Sequence, residues 1–318
     1  MTFMILFIGL RPVHRAFVDM MNYNQFFNYA KSAGYFSFNW DAENLVFDNL
    51  FSYLAFKDYD ITFFMFIIAL VYFGTMWLAI RKWFPNDTLY GYLVCLAAFS
   101  SFSYATNGVK AGAAASIFLL ALAYHDNIKI TIILSFISWF FHHSMSAVIV
   151  IYALTFFIKR PKIYLYGWII CVAFSIVHIN PLQSLMVSMT DERGADYLLS
   201  TNNMWGGKAG FRIDFLLYSV VPILIGSYVI IKKKIQSSTF NQLFNLYLGV
   251  NALWVLCMYI PFNNRVAYLS WFMLPVVSVY PFFKLDLHPD GTTQYSQLNK
   301  ISYFYMFFSL FMYFIYYS

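Results

Sequence analysis

Charge is scarce in this chain. Only 20 Lys and Arg and 14 Asp and Glu are spread over 318 residues, so charged residues make up 11%, against about 25% in an ordinary globular domain. A water-soluble protein of this length could not cover its surface with so few. Cysteine is sparse as well: Cys95, Cys171 and Cys257 each lie in an apolar run. Three cannot all pair with one another, so a disulfide framework is excluded and buried free thiols are expected. No CxxC, CxxH or HExxH spacing suggests a structural metal. Nine prolines and 14 glycines are too few for a collagen-like or low-complexity chain. No internal repeat and no nucleotide-binding domain is visible.

Apolar surface is abundant instead. Hydrophobic residues reach 61% and aromatics 22%, with 37 Phe, 26 Tyr and 8 Trp, and mean hydropathy is +0.63. Such a chain belongs in a bilayer. Clear apolar runs cover 61–80, 89–106, 111–125, 163–178, 211–231, 240–261, 265–283 and 301–317. The stretch 129–158 is too long for one span and carries Phe140-Phe141-His142-His143-Ser144 at its middle, which predicts a hairpin of two short helices with a polar tip. MTFMILFIGL, before Arg11, is too short to span and lacks the basic start of a signal peptide. It reads as a partial helix, or as part of one that begins upstream. The expected fold is all-α: a polytopic membrane bundle of about 10 to 11 membrane helices, forming one integral membrane domain over 1–318.

The positive charge sorts the loops by side. Loops 81–88, 125–129, 159–162, 232–239 and 284–300 hold eleven basic against four acidic residues; the rest of the chain holds nine against ten. The short basic loops are therefore expected in the cytoplasm, and the long segments 11–60 and 179–210 outside. The first of these is rich in Asn, Tyr, Phe and Asp. Rings with amides and carboxylates suit sugar binding, because rings stack on the apolar faces of pyranoses. An interfacial helix with an aromatic belt has the same composition.

Four cations stand at outer helix ends, where the topology rule gives them no reason to be: Arg11, Lys110, Arg212 and Arg265. Gathered round an anion, they would suit a diphosphate on a lipid carrier, since Arg forks match phosphate oxygens. Snorkelling or pairing with Asp or Glu is the structural alternative. His142 and His143 can act as general base or hydrogen-bond donor, or be satisfied buried histidines. Asp58-Tyr59-Asp60 has the D-x-D spelling used to hold metal–nucleotide sugars, but it stands at an outer helix start, where acidic residues also complement the dipole. Asp19, Asp41 and Glu43 share the first outer segment and could serve as bases or sugar ligands.

Taken in order, these features resemble a known family. Gly9-Leu10-Arg11-Pro12 ends the first apolar run, and Asp19-Met20-Met21-Asn22-Tyr23 follows. Asn107-Gly108-Val109-Lys110 leads into an Ala-rich helix, and Phe141-His142-His143-Ser144 comes next. Gly210-Phe211-Arg212-Ile213-Asp214 and Asn264-Arg265 complete the set. Across roughly residues 1–283 the chain resembles the EpsG family of polysaccharide polymerases, akin to the O-antigen polymerase (Wzy) type. That family usually reads N-G-hydrophobic-Arg-Gln where this chain has Lys110 and Ala111.

The resemblance implies a metal-independent glycosyltransferase in the bacterial cytoplasmic membrane. It would join polyprenyl-diphosphate-linked oligosaccharide repeats at the outer face into exopolysaccharide, capsule or O-antigen. Cofactors and nucleic acid have no place in that reading; the partners are the lipid-linked glycans, the bilayer and a candidate chain-length regulator. Catalytic roles would fall to His142, Asp19, Arg265 and Lys110, and substrate contacts to Arg212, Arg11, Tyr23, His143, Asp214 and Asn107. A flippase for the same glycans and a membrane O-acyltransferase are the competing classes. Transporters usually show repeats and broken midplane helices, and an embedded histidine also suits acyl transfer.

Overall fold

The computed structural model describes residues 1–179, 210–260, 263–285, 287 and 294–317. The expected outer segment 179–210 thus lies outside the described residues apart from its two ends. Among the described residues there are fifteen α-helices, one π-helical turn and no strand. Among the described residues, three helical stretches are long and apolar enough to cross a membrane: Ile61–Trp83, Ile213–Lys232 and Asn264–Lys284. A fourth crossing would come from a bent pair, and five shorter apolar helices accompany them. The expected ten to eleven spans are not confirmed by the length and composition of these helices. The helices divide into two units, Met1–Ile149 with Ser296–Ser318, and Val150–Tyr295.

The first unit is built on α4 (Ile61–Trp83) and α7 (Val109–Ala123). Asp60 starts α4, its Oδ1 accepting from the Thr62 N–H at 3.4 Å, and Arg81 and Lys82 end it on the side that suits the dipole. Helix α7 is small-residued and buried from Gly112 to Ala123, which lets it lie close to α4. Ser116 Oγ reaches the Tyr72 carbonyl at 2.6 Å and the Thr75 hydroxyl at 2.7 Å. Around this pair stand α1 (Thr2–Gly9), α2 (Val18–Ser32), α3 (Leu45–Phe56), α8 (Ile128–Phe141) and the start of α9 (Met145–Phe157). The break between α8 and α9 falls at His142–Ser144, where the sequence predicts it.

One expected span is not a single helix. The run 89–106 is α5 (Thr88–Ala97) and α6 (Phe99–Thr106), bent by 77° at an extended Ala98. The carbonyls freed there are satisfied from elsewhere. Ala97 O accepts from Ser309 Oγ at 2.7 Å, on the C-terminal helix Tyr295–Tyr317, and Cys95 O accepts from Ser101 Oγ. Ser101 O in turn accepts from the Tyr72 hydroxyl at 3.2 Å. Backbone irregularity inside a membrane protein needs this kind of repair.

The second unit contains α10 (Pro161–Ile176), α11 (Ile213–Ser227) with its π turn Tyr228–Lys232, α12 (Ser238–Leu256), α13 (Asn264–Trp271) and α14 (Leu274–Lys284). Asn251 is the polar hub of its core. Its Oδ1 accepts from Trp168 Nε1 at 2.8 Å, and its Nδ2 donates to Ser270 Oγ at 3.0 Å and Ser219 Oγ at 3.2 Å. Helices α11 and α12 approach so closely that a Cβ on Gly226 would stand 2.3 Å from the Phe244 ring. All three cysteines are free, Cys95 and Cys257 buried and Cys171 half-buried.

Candidate functional site

The N-terminus of α3 organises the polar side chains of the first unit. Asn44 precedes the helix and is 1% exposed. Its backbone N–H donates to Asp48 Oδ2 at 3.0 Å, and its Nδ2 donates to the same oxygen at 3.2 Å. That turns Asn44 Oδ1 toward the other side, where it accepts from the His143 backbone N–H at 3.1 Å. Asp48 Oδ1 is left for Lys110, whose Nζ lies 3.1 Å away. The ammonium also sits over the Phe47 ring, 5.0 Å from its centroid. A continuous polar line thus runs from Lys110 through Asp48 and Asn44 to His143.

The two histidines are stacked, their centroids 4.9 Å apart, but they are held differently. His143 Nδ1 faces two acceptors, Glu43 Oε1 at 3.2 Å and Asn44 Oδ1 at 3.3 Å. Nδ1 therefore carries the proton, and in the neutral ring the lone pair is on Nε2. His142 is the reverse. Its Nδ1 accepts from the Ser144 N–H at 3.2 Å and lies 2.7 Å from Ser144 Oγ. Neutral His142 therefore carries its proton on Nε2.

Other candidates cluster nearby. Tyr23 packs on Phe47 and Phe51, with centroids at 6.2 and 6.3 Å, and Asp19 lies one turn earlier on α2. Arg11 is 4% exposed, and its fork closes on backbone rather than on a carboxylate: Nη1 to Ile8 O at 2.7 Å, Nη2 to Thr106 O at 3.1 Å. Both acceptors belong to helix C-terminal turns, where cations are favoured. Burial pushes this guanidinium down to about 10, which leaves it charged at neutral pH. It lines a cavity of ≈ 10 Å³, about the space of one water and too small for a sugar ring. Asn107, beside Thr106, has a buried Oδ1 with no partner.

The loop leading into α3 carries exposed aromatic rings. Asn49, buried on α3, clamps residue 39 from both sides: its Oδ1 accepts from the Asn39 N–H at 2.7 Å and its Nδ2 donates to Asn39 O at 2.9 Å. Phe38 and Trp40 flank that clamp, with centroids 4.6 Å apart, and Trp40 is 78% exposed.

Arg212, Asp214 and Arg265 belong to the second unit. Arg212 grips Asp214 bidentately, Nε to Oδ1 at 2.9 Å and Nη2 to Oδ2 at 2.5 Å, and lies 3.8 Å over the Phe215 ring. An anion seeking that fork would have to displace a carboxylate. Arg265 is exposed in the first turn of α13. Of the D-x-D pair, Asp58 bonds Lys31 at 2.8 Å and Asp60 caps α4. No three His, Cys, Asp or Glu side chains converge among the described residues.

Asn44 and Asp48 have no place in the sequence reading of the site, and Glu43 enters it only as one acid of the outer segment. A signal for Asp48 exists in the sequence, an acid in the first turn of an apolar helix, but helix dipoles alone account for that pattern. Against known sequences, the chain matches the EpsG family over residues 1–318. No curated protein and no solved structure matches it.

Proposed function

The chain belongs to the EpsG family of Wzy-like polysaccharide polymerases, and from that premise we propose that it polymerises polyprenyl-diphosphate-linked oligosaccharide repeats at the outer face of the cytoplasmic membrane. The apolar helices and the family together make it a multi-pass membrane protein. The observation that carries the proposal is the line Lys110–Asp48–Asn44–His143, which puts a cation and a histidine on one rigid support. The donor's anomeric carbon is attacked by a sugar hydroxyl of a second unit. The C–O bond to the diphosphate breaks, and its electron pair leaves with the polyprenyl diphosphate. Fixed positive charge stabilises that developing anion. Lys110 spends one N–H on Asp48 and keeps two for oxygen ligands. A histidine of the 142–143 pair takes the hydroxyl proton. Arg265 is an exposed candidate for anion contacts in the second unit.

The bend at Ala98 gives the transporter reading one observation of its own, since broken helices also occur in transporters. Deleting the gene separates the readings. A polymerase leaves single lipid-linked repeats on the outer leaflet and no long polymer. Repeats trapped on the inner leaflet would mean a flippase, and normal polymer lacking acyl groups an acyltransferase.

A further inference from the structure

Resting on the polymerase reading, we infer that Trp40, Phe38, Glu43 and His143 form the acceptor-glycan site: the two rings hold the sugar, and His143 Nε2 takes the proton of the attacking hydroxyl.

Tautomer geometry selects His143 over its neighbour. A general base needs a free lone pair on an accessible nitrogen. On neutral His143 that nitrogen is Nε2, because Nδ1–H is held by Glu43 and Asn44. The His143 ring is about half exposed, so a substrate can reach it. On neutral His142 the Nδ1 lone pair already receives the Ser144 N–H, and Nε2 is a donor. The groups facing His143 are Glu43 and Asn44 from the segment before α3 and the stacked His142, with the Lys110–Asp48 pair next along the line. Glu43 is a positioning residue: its carboxylate fixes the ring and stabilises the imidazolium formed in the step. Protons and electrons balance. The hydroxyl proton goes to Nε2, the oxygen forms the glycosidic bond, and the diphosphate departs with the electron pair.

The rings supply the binding half. Phe38 and Trp40 are held outward by the Asn49 clamp on the residue between them, so their exposure is built in. Flat rings with polarised edges suit the C–H faces of a pyranose, and Trp gives the largest such face. Trp40 precedes Glu43 by three residues, so their Cα atoms are at most about 10–11 Å apart. Glu43 touches His143. One glycan can therefore lie on the rings and reach Nε2 with a hydroxyl.

The test uses the full chain in native membranes, with the cell's own lipid-linked repeat as donor. The acceptor is the repeat oligosaccharide released from its lipid by mild acid and fluorescently tagged. It lacks a diphosphate and can only accept. His143→Ala should lower kcat roughly 10²- to 10⁴-fold with little change in acceptor KM, and free imidazole should restore part of the rate. His142→Ala should gain nothing from imidazole. Trp40→Leu should raise acceptor KM roughly tenfold, the scale of one lost aromatic contact, whereas Trp40→Phe should stay close to wild type. Membrane abundance is matched throughout, and His143→Gln serves as the second variant if His143→Ala is depleted. The site is overturned if His143→Ala keeps its rate, if its loss is not eased by imidazole, or if Leu and Phe at position 40 behave alike, which would make Trp40 a bilayer anchor. Failure of the polymerase reading shows separately, as a deletion strain that accumulates no single repeats.

Discussion

Lys110 and Asp48 are 62 residues apart in the chain and 3.1 Å apart in space. Both side chains are partly exposed, at 25% and 35%, so the pair itself contributes about 1 kcal/mol or less to stability. Lys110→Met should therefore lower membrane abundance modestly and polymer strongly. Adding Asp48→Asn removes the uncompensated carboxylate. The double variant should regain abundance on an immunoblot of membranes, while polymer stays roughly 30-fold or more below wild type. Recovery of polymer along with abundance would reduce Lys110 to a structural partner. Lys110, His142 and His143 are legible in the sequence because polar residues interrupting apolar helices stand out. Asn44 is not. It sits among many asparagines, and its link to His143 is a contact 99 residues away.

Helices α4, α7 and α10 were readable because hydropathy alone delimits them. The bend at Ala98 was not, since the Tyr72 and Ser309 hydroxyls that bond the backbone around it come from other helices. A run of apolar and small residues looks the same whether or not distant hydroxyls repair a break in it. The closeness of α11 and α12 is equally hidden, because a glycine in an apolar helix says nothing of what lies opposite. Here it is Phe244, 2.3 Å from where a Cβ would stand. Gly226→Ala should destabilise the protein by about 1–3 kcal/mol through overpacking, read as a lower unfolding midpoint in detergent. Phe244→Leu in the same chain should recover part of that loss. An unchanged midpoint for Gly226→Ala would mean that the Phe244 ring swings away freely.

For the whole molecule, charge distribution predicts a topology. Reporter fusions after Lys82, Lys162 and Lys234 should all report the cytoplasm, because eleven of the 20 Lys and Arg lie in the loops assigned there. A fusion after Lys162 that reports the outside would mean that α8 and α9 do not return the chain to its starting side. The all-helical class and the interruption at His142–Ser144 follow from composition and pattern. The division into two units does not, because the boundary at Ile149 and Val150 falls inside one uninterrupted apolar helix.

The Arg11 clasp sets a clock on biogenesis. Its bond to Thr106 O spans 95 residues, and a ribosome adding about 5–20 residues each second needs about 5–20 s to make them. Throughout that interval the guanidinium has one of its two carbonyl partners and not the other. A buried charge short of its partners is costly, so the nascent Arg11 stays hydrated over that time. The turn that follows α1 thus completes its packing only when the end of α6 arrives to receive Arg11.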